Sequence, residues 1–197
     1  SEPLFWNKLS LAPLWLKDKF LYLIDREKNY AKEGKKARII AKMNSLCDPD
    51  IIAGLYEASA AGVKIELIVR GICCLIPGIA GETENIKVVS VVGRFLEHSR
   101  IYIFGKGAQE KIYIASADLM TRNTVCRVEV AAPIYDEDIK NRVRGIFNTT
   151  MSDTEKGKLL NNKGKYSNRR SGKNSINSQE LFYQEAYKAS ESVDVIV

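Results

Sequence analysis

The sequence predicts an α/β domain in which a mixed β-sheet is flanked by helices. Residues 37–71 carry the order strand, helix, strand, which is typical of a βαβ unit with parallel strands. Residues 86–134 then contain three or four short apolar segments of strand length, and one turn between them suits a hairpin. Amphipathic segments before and after these strands supply the flanking helices.

The first element is an amphipathic helix, predicted over residues 11–33. Apolar side chains recur there at helical spacing, with charges between them: Leu16, Phe20, Leu23, Ile24 and Tyr30. Pro13 suits the first turn of this helix, and Gly34 suits its C-terminal end.

The βαβ unit follows directly. Residues 37–43 ("ARIIAKM") are predicted as a strand. Asp48 is predicted to cap the next helix, with Pro49 as its first residue. That helix is expected to end at Gly62, and residues 63–71 ("VKIELIVRG") form a second buried strand rich in β-branched residues.

The second half of the chain is predicted from turn residues and apolar runs. Gly and Pro make residues 76–85 a loop, and strands follow in "IKVVSVVG", "SRIYIFG", "KIYIASA" and "VCRVEVAAPI", with a hairpin turn at 105–110. Asp136 caps a helix over 136–150, and Ser178 is expected to cap another over 178–190. Between them, residues 156–174 carry seven basic residues and no acid, which predicts an exposed arm or loop.

These elements divide the chain into three parts of one domain. Residues 1–35 hold the N-terminal helix leading into the domain, residues 36–150 form the domain itself, and residues 151–197 add a basic loop and a C-terminal helix that packs on it.

Composition narrows the class of protein. The net charge of +6 favours anionic partners such as nucleotides or polyanions. No apolar run is long enough for a membrane span and no secretory signal is evident, so we expect a cytoplasmic protein. The four cysteines lack metal-ligand spacing, and the pair Cys73 and Cys74 is expected to be buried and reduced.

Arginines recur at the ends of the predicted strands, where α/β sheets bind ligands. Arg70 closes "IELIVR", Arg94 and Arg100 flank the only histidine, and Arg122 and Arg127 flank "NTVC". A single arginine of this kind is usually a solvated surface charge. Arg70 is the exception, because a charge in so apolar a stretch requires a partner, and guanidinium groups bind phosphates by paired hydrogen bonds.

His98 is the only histidine in the chain. Glu97 and two arginines make its surroundings polar, and an imidazole can transfer a proton or accept a phosphoryl group. From the residues alone, a structural and a catalytic role for His98 are about equally supported.

Longer motifs carry a family resemblance. "HSRIYIFG" followed by "IASAD" resembles the phospholipase D pattern, but Arg100 replaces its lysine and Gly105 its aspartate, while Ser116 and Asp118 occupy its small-residue turn. The runs "ARIIAKMNSLCDPDIIAGLYEASAAGVKIELIVRGICCL", "NIKVVSVVGRFLEHSRIYIFGKG", "YIASADLMTRN", "RVEVAAPI" and "NSQE" resemble the C-terminal part of bacterial polyphosphate kinase.

The resemblance implies a fold and a reaction. It implies a phospholipase D-like domain and the reversible transfer of the terminal phosphoryl group of ATP to inorganic polyphosphate, with Mg²⁺ and through a phosphohistidine. It implies that Arg70 binds nucleotide phosphate and that His98 is the ATP-site histidine and general acid, opposite a nucleophilic histidine in a preceding domain. It further implies a homo-oligomeric full enzyme with possible peripheral membrane association.

The sequence departs from the family by containing one histidine only. The phosphorylated histidine and the arginines that bind magnesium in the family are expected outside this chain, which we expect to be a C-terminal fragment inactive by itself. Further ATP or phosphate contacts are predicted at strand ends and turns; they are Lys42, Asn44, Arg100, Ser116, Asp118, Arg122, Asn123 and Arg127. For Lys42 and Asn44 the alternative is a plain exit from the strand, and Asp118 is expected to orient His98 or pair with an arginine, because it would repel phosphate.

Two other functions remain open. A phospholipase D-like nuclease or phosphodiesterase could form if two chains each supplied a histidine, although Arg100 argues against it. A basic nucleic-acid-binding module fits the charge, but the sequence lacks an aromatic platform and zinc spacing, so no nucleic acid is expected.

Overall fold

The computed structural model describes residues 8–169 and 175–191. Within them a single mixed sheet has nine strands in the order β1-β7-β6-β5-β2-β3-β4-β8-β9. The strands are β1 Ser10–Ala12, β2 Arg38–Met43, β3 Lys64–Val69, β4 Ile86–Val91, β5 Arg100–Phe104, β6 Lys111–Ala115, β7 Glu129–Ile134, β8 Gly157–Leu160 and β9 Tyr166–Asn168. The helices are α1 Leu16–Lys32, α2 Pro49–Ala60, α3 Glu137–Met151 and α4 Ser178–Glu191.

The predicted βαβ unit is present and sets the direction of the sheet. β2 pairs parallel with β3, β3 pairs parallel with β4, and the remaining ladders are antiparallel. Asp48 caps α2 by accepting the N–H groups of Asp50 and Ile51, and Gly62 follows the helix at φ +96°. The mixed α/β sheet predicted from the sequence is therefore confirmed.

Helices cover both faces of the sheet. α1 and α2 bury Phe20, Leu23 and Leu55 against one face, and α3 buries Val143 and Phe147 against the other. Alternation along the central strands supplies both cores, because successive side chains point to opposite faces. The central strands are thus buried on both faces, and their ends carry the candidate site.

Two element boundaries differ from the prediction. The first helix begins at Leu16 rather than residue 11, because residues 10–12 pair with β7 as an edge strand. The last predicted strand begins at Glu129 rather than at residue 125, because residues 122–126 form a π-helical turn. Its Thr124 hydroxyl donates to Asp48 (2.9 Å), 76 residues earlier in the chain, so a distant polar contact outweighs β-propensity there.

The basic segment after α3 is not simply an exposed arm. Residues 157–168 form a hairpin whose first strand, β8, extends the sheet beside β4, with Gly157 and Leu160 buried. Its lysines point toward solvent, so the basic composition of the segment obscured the alternating pattern of a strand. Residues 170–174 lie outside the described part of the chain.

The C-terminal helix starts one residue differently from the prediction. Asn177, not Ser178, accepts the N–H of Glu180 (3.2 Å), and Ser178 is the first helical residue. Arg142 of α3 forms a salt bridge with Glu185 of α4 (2.9 Å), which places this helix beside α3.

The cysteines are free thiols, but their burial was only partly predicted. Cys73 is half-buried, whereas Cys74 is exposed in the segment after β3 and Cys126 is exposed at the end of the π-helical turn. No helix in residues 8–169 and 175–191 is both long and apolar enough to cross a bilayer.

Candidate active site at the carboxyl edge of the parallel strands

A polar cleft of about 510 Å³ opens where β2 and β3 end. β5 runs antiparallel to β2 and begins at this edge, and β6 ends there, so four neighbouring strands deliver residues to one place. Nine of the predicted site residues line it, namely Asn44, Arg70, His98, Arg100, Ser116, Asp118, Arg122, Asn123 and Arg127. The strand-end argument therefore located the cleft.

Arg100 is the central residue of this cleft. Its Nε and Nη2 atoms donate to the two carboxylate oxygens of Asp118 (3.2 and 3.0 Å), and its Nη1 atom donates to the backbone carbonyl of His98 (2.9 Å). Asp118 also accepts the N–H of Asn44 (2.7 Å). As expected, the Asp118 carboxylate pairs with an arginine.

The surroundings of Asp118 favour its charged form. Burial by itself would raise the pKa of Asp118, but the hydrogen bonds from Arg100 and from the Asn44 N–H hold that pKa below its ordinary value. The pair is therefore ionised at neutral pH, and Arg100 is fixed in place by a charge-assisted, two-bond contact.

His98 is exposed, and Arg100 determines which of its nitrogens carries the proton. Nη1 of Arg100 lies 3.0 Å from Nδ1 of His98. A guanidinium can only donate hydrogen bonds, so Nδ1 must accept and Nε2 carries the proton of the neutral ring. This tautomer makes His98 a hydrogen-bond donor through Nε2, not a nucleophile at that atom.

Arg70 is held at the end of β3 by its neighbour on β2. Its Nε atom donates to Oδ1 of Asn44 (3.0 Å). The side chain is half-buried, and the Nδ2 atom of Asn44 is buried with no hydrogen-bond partner among the described residues. Asn44 therefore orients the guanidinium that the strand-end argument singled out.

Glu129 was missed by the sequence prediction. It is buried at the start of β7, accepts a hydrogen bond from Nδ2 of Asn123 (2.7 Å), and binds the hydroxyl of Ser116. Ser116 in turn accepts the N–H of Val130 (3.1 Å). An acid within the apolar run "RVEVAAPI" was the signal that could have identified it.

Lys42 does not line the cleft, contrary to the expectation that it faces the site. Its side chain is buried on the α3 face of β2, where Nζ donates to Oγ of Ser99 (2.6 Å) and lies 3.2 Å from Oε2 of Glu97. Burial lowers the pKa of Lys42, against the opposing effect of Glu97. Lys42 lies two residues before the strand-end residue Asn44, and its ammonium group is engaged by Ser99 and Glu97 instead of facing the cleft.

Comparisons with known proteins assign this chain to a family. The family model described as "Polyphosphate kinase C-terminal domain 2" matches residues 9–179. The chain belongs to the polyphosphate kinase family, as its C-terminal domain. It is 49% identical over 181 residues to the polyphosphate kinase of Staphylococcus saprophyticus, covering 92% of this chain and 25% of that protein.

The solved structures agree with this assignment. The crystal structure of polyphosphate kinase from Porphyromonas gingivalis matches with a TM-score of 0.90 at 34% identity, covering 98% of this chain and 30% of that one. The chain thus spans about a quarter of the length of the curated relatives it matches. The phospholipase D family member Nuc of Salmonella typhimurium matches at 16% identity (TM-score 0.53), covering 78% of this chain and 97% of that one, and supports the fold alone.

The carboxylates of this polyphosphate kinase domain do not suit a magnesium ion. No group of three or more His, Cys, Asp or Glu residues in the described part of the chain could hold a metal. Of the two acids at the cleft, Asp118 is bound by Arg100, and Glu129 is bound by Ser116 and Asn123. Binding of Mg²⁺ by these two carboxylates would compete with those contacts.

Proposed function

We propose that this chain supplies one half of the active site of an enzyme that transfers the terminal phosphoryl group of ATP to inorganic polyphosphate and back. The supporting observation is the convergence of His98 and four arginines in one cleft. Several guanidinium groups at the edge of a sheet favour a polyanionic substrate, and family membership favours the kinase over other phosphate chemistry.

In this proposal, Arg70, Arg122 and Arg127 bind phosphate oxygens of ATP or of the polyphosphate chain. Arg70 is half-buried and already oriented by Asn44, so little conformational entropy is lost when it binds. Arg122 and Arg127 are exposed on the opposite wall of the cleft from β3, in and just after the π-helical turn. Arg100 has another task, since four of its five N–H donors are engaged by Asp118 and His98.

His98 acts on the leaving group. The phosphoryl group moves from ATP to a histidine nitrogen supplied from outside this chain: the bond between phosphorus and the ADP oxygen breaks, and a phosphorus–nitrogen bond forms. Nε2–H of His98 donates a hydrogen bond to the ADP oxygen as negative charge develops on it, and the proton stays on Nε2. In the second step, a terminal oxygen of polyphosphate attacks the phosphohistidine and releases the imidazole.

Magnesium is proposed as a cofactor of the complete enzyme, with its ligands outside this chain. The carboxylates of the cleft are occupied, as described above. The substrates proposed are ATP, ADP and polyphosphate.

The decisive experiment compares this chain with a longer protein that includes the upstream coding sequence. Each receives ATP and Mg²⁺, and long-chain polyphosphate is measured. Synthesis by the longer protein alone, lost in its His98→Ala variant, is the expected result. Synthesis by the short chain would refute the need for a second histidine.

The same proteins test the alternative functions. Cleavage of a model phosphodiester by the short chain, without synthesis by either protein, would favour the nuclease. Binding of DNA as tightly as polyphosphate of equal charge, with the same salt dependence, would favour the nucleic-acid-binding module.

A further inference from the structure

His98 lies in the loop between β4 and β5. Two buried polar side chains contact this loop, one from β2 and one from the start of α4. We propose that Gln179, at the start of α4, is a positioning residue that fixes the His98 loop for phosphoryl transfer, with Lys42 as its counterpart on β2. The inference rests on the proposed function of His98. It assigns a task to the C-terminal segment and to a lysine that does not reach the cleft.

Gln179 binds the backbone of this loop in the way a neighbouring strand would. Its Oε1 atom accepts the N–H of Phe95 (2.9 Å), and its Nε2 atom donates to the carbonyl of Phe95 (2.8 Å). The side chain is only 4% exposed. Both backbone groups of one loop residue are thus satisfied by a single amide.

The close approach of Gln179 also dictates a glycine in the loop. A Cβ atom built on Gly93 would lie 2.3 Å from Oε1 of Gln179. Any other residue at 93 would displace the amide from its contact with Phe95.

The start of α4 is itself firmly placed. The N–H and the hydroxyl of Ser178 both donate to Oδ2 of Asp153 (2.7 Å each). Oδ1 of Asp153 accepts the N–H groups of residues 155, 156 and 157, which begin the basic hairpin. Asp153 is fully buried, so Gln179 extends from a fixed point.

Lys42 holds the same loop from the sheet side. Its ammonium group donates to the hydroxyl and the carbonyl of Ser99 (2.6 and 3.3 Å) and pairs with Glu97. The other oxygen of Glu97 lies 3.4 Å from Nε2 of Gln179. The residues on either side of His98 are therefore held from two directions.

Apolar packing makes only a small contribution to the order of this loop, namely a stacked contact between the rings of Phe95 and Tyr183 of α4, whose centroids are 6.3 Å apart. Phe95 is 44% exposed and Leu96 is 69% exposed, so the loop buries little surface of its own. Polar contacts from Gln179 and Lys42 therefore order the backbone of the loop. Arg100 orients the imidazole ring of His98. A donor that must meet a developing charge tolerates little displacement, and an error of about 1 Å can cost roughly a hundredfold in rate.

The test replaces Gln179 in the complete enzyme, made with its upstream sequence. Gln179→Met keeps the length and volume of the side chain and removes its hydrogen bonds, and Gln179→Ala removes both. The matched control is Gln184→Ala, on the same helix, whose exposed amide donates to Glu180 (3.3 Å). We expect kcat to fall about 10- to 100-fold in both Gln179 variants, with KM for ATP within about threefold and the control unchanged.

A second readout measures the loop without activity. In the 197-residue chain, backbone ¹⁵N order parameters of residues 94–98 are expected to fall from about 0.85 to below about 0.6 in Gln179→Met, and to stay unchanged in Gln184→Ala. Unchanged order parameters, or a lower kcat with an ordered loop, would overturn the positioning role. A mobile loop with unchanged kcat would instead overturn the proposed role of His98 and, with it, this inference.

Discussion

The contact between Arg100 and Asp118 gives the sharpest prediction about this domain. Asp118→Asn removes the charge and half of the acceptors while keeping the size of the side chain. One amide N–H₂ group would then face the N–H groups of Arg100, donor against donor. The variant therefore loses one of the two hydrogen bonds from Arg100 and also leaves the guanidinium without its counter-charge.

The cost follows from the burial of the pair. The two side chains are 11% and 10% exposed, and breaking a buried pair on one side typically costs 3–5 kcal/mol, so we expect a loss of about 2–4 kcal/mol in the free energy of unfolding. The matched control is Glu66→Gln. Its pair with Arg38 is 33% and 32% exposed and should contribute no more than about 1 kcal/mol.

Urea unfolding followed by circular dichroism measures both variants. Because the pKa of Asp118 is depressed in the folded state, its stabilising contribution is complete above the unfolded pKa of about 3.9. That contribution is lost as the pH falls through the folded pKa, and the difference between the wild type and Asp118→Asn should shrink there. A loss at pH 7 no larger than that of Glu66→Gln would refute the claim that Asp118 fixes Arg100.

Three further substitutions test the site in the complete enzyme. His98→Ala should abolish most turnover while the melting temperature stays within about 2 °C, since the side chain is exposed; equal losses of both would indicate a structural residue. Arg70→Ala should weaken ATP binding, measured by calorimetry, by roughly 10- to 150-fold, the equivalent of about 1.5–3 kcal/mol for charge-assisted hydrogen bonds; unchanged affinity would exclude Arg70 as a phosphate ligand. Lys42→Met should lower kcat and leave ATP affinity unchanged, because the amine holds Glu97 and Ser99; the opposite pattern would make Lys42 a phosphate ligand after all.

The sequence predicted the parts of the fold that depend on local pattern. Asp48 and Pro49 marked the start of α2 correctly, and the apolar runs marked β2 to β6 within one or two residues. The cleft was found because strand ends in a parallel sheet converge, which needs only the order of the elements.

The failures share a cause, which is that distant contacts decided the structure. Residues 10–12 became a strand because β7 offers a free edge, and residues 157–160 became one because β4 does. Glu129 gains its place in the cleft from Ser116 and Asn123. Gln179 contacts a loop 84 residues earlier in the chain, and no local pattern reports such a contact.

Of the two departures from the phospholipase D pattern, only one lies in the cleft. Gly105 follows the far end of β5, about 17 Å along the strand from Arg100. Its φ is +86°, and a Cβ atom there would lie 3.1 Å from the carbonyl of Gln109, so an aspartate would be strained. The glycine at 105 therefore reflects local backbone geometry and bears little on the chemistry of the cleft.

The arginine at position 100 does change the chemistry. A histidine that attacks phosphorus through Nε2 needs a lone pair there, which requires a proton on Nδ1 and an acceptor beside it. Here Nδ1 faces Nη1 of Arg100, a donor, so the proton must reside on Nε2. A lysine has one nitrogen and could not bind both Asp118 oxygens and Nδ1 in this planar arrangement. Arg100 thus disfavours His98 as the nucleophile of a phosphodiesterase, and the resulting tautomer agrees with the hydrogen-bond donor role that the proposed function gives to His98.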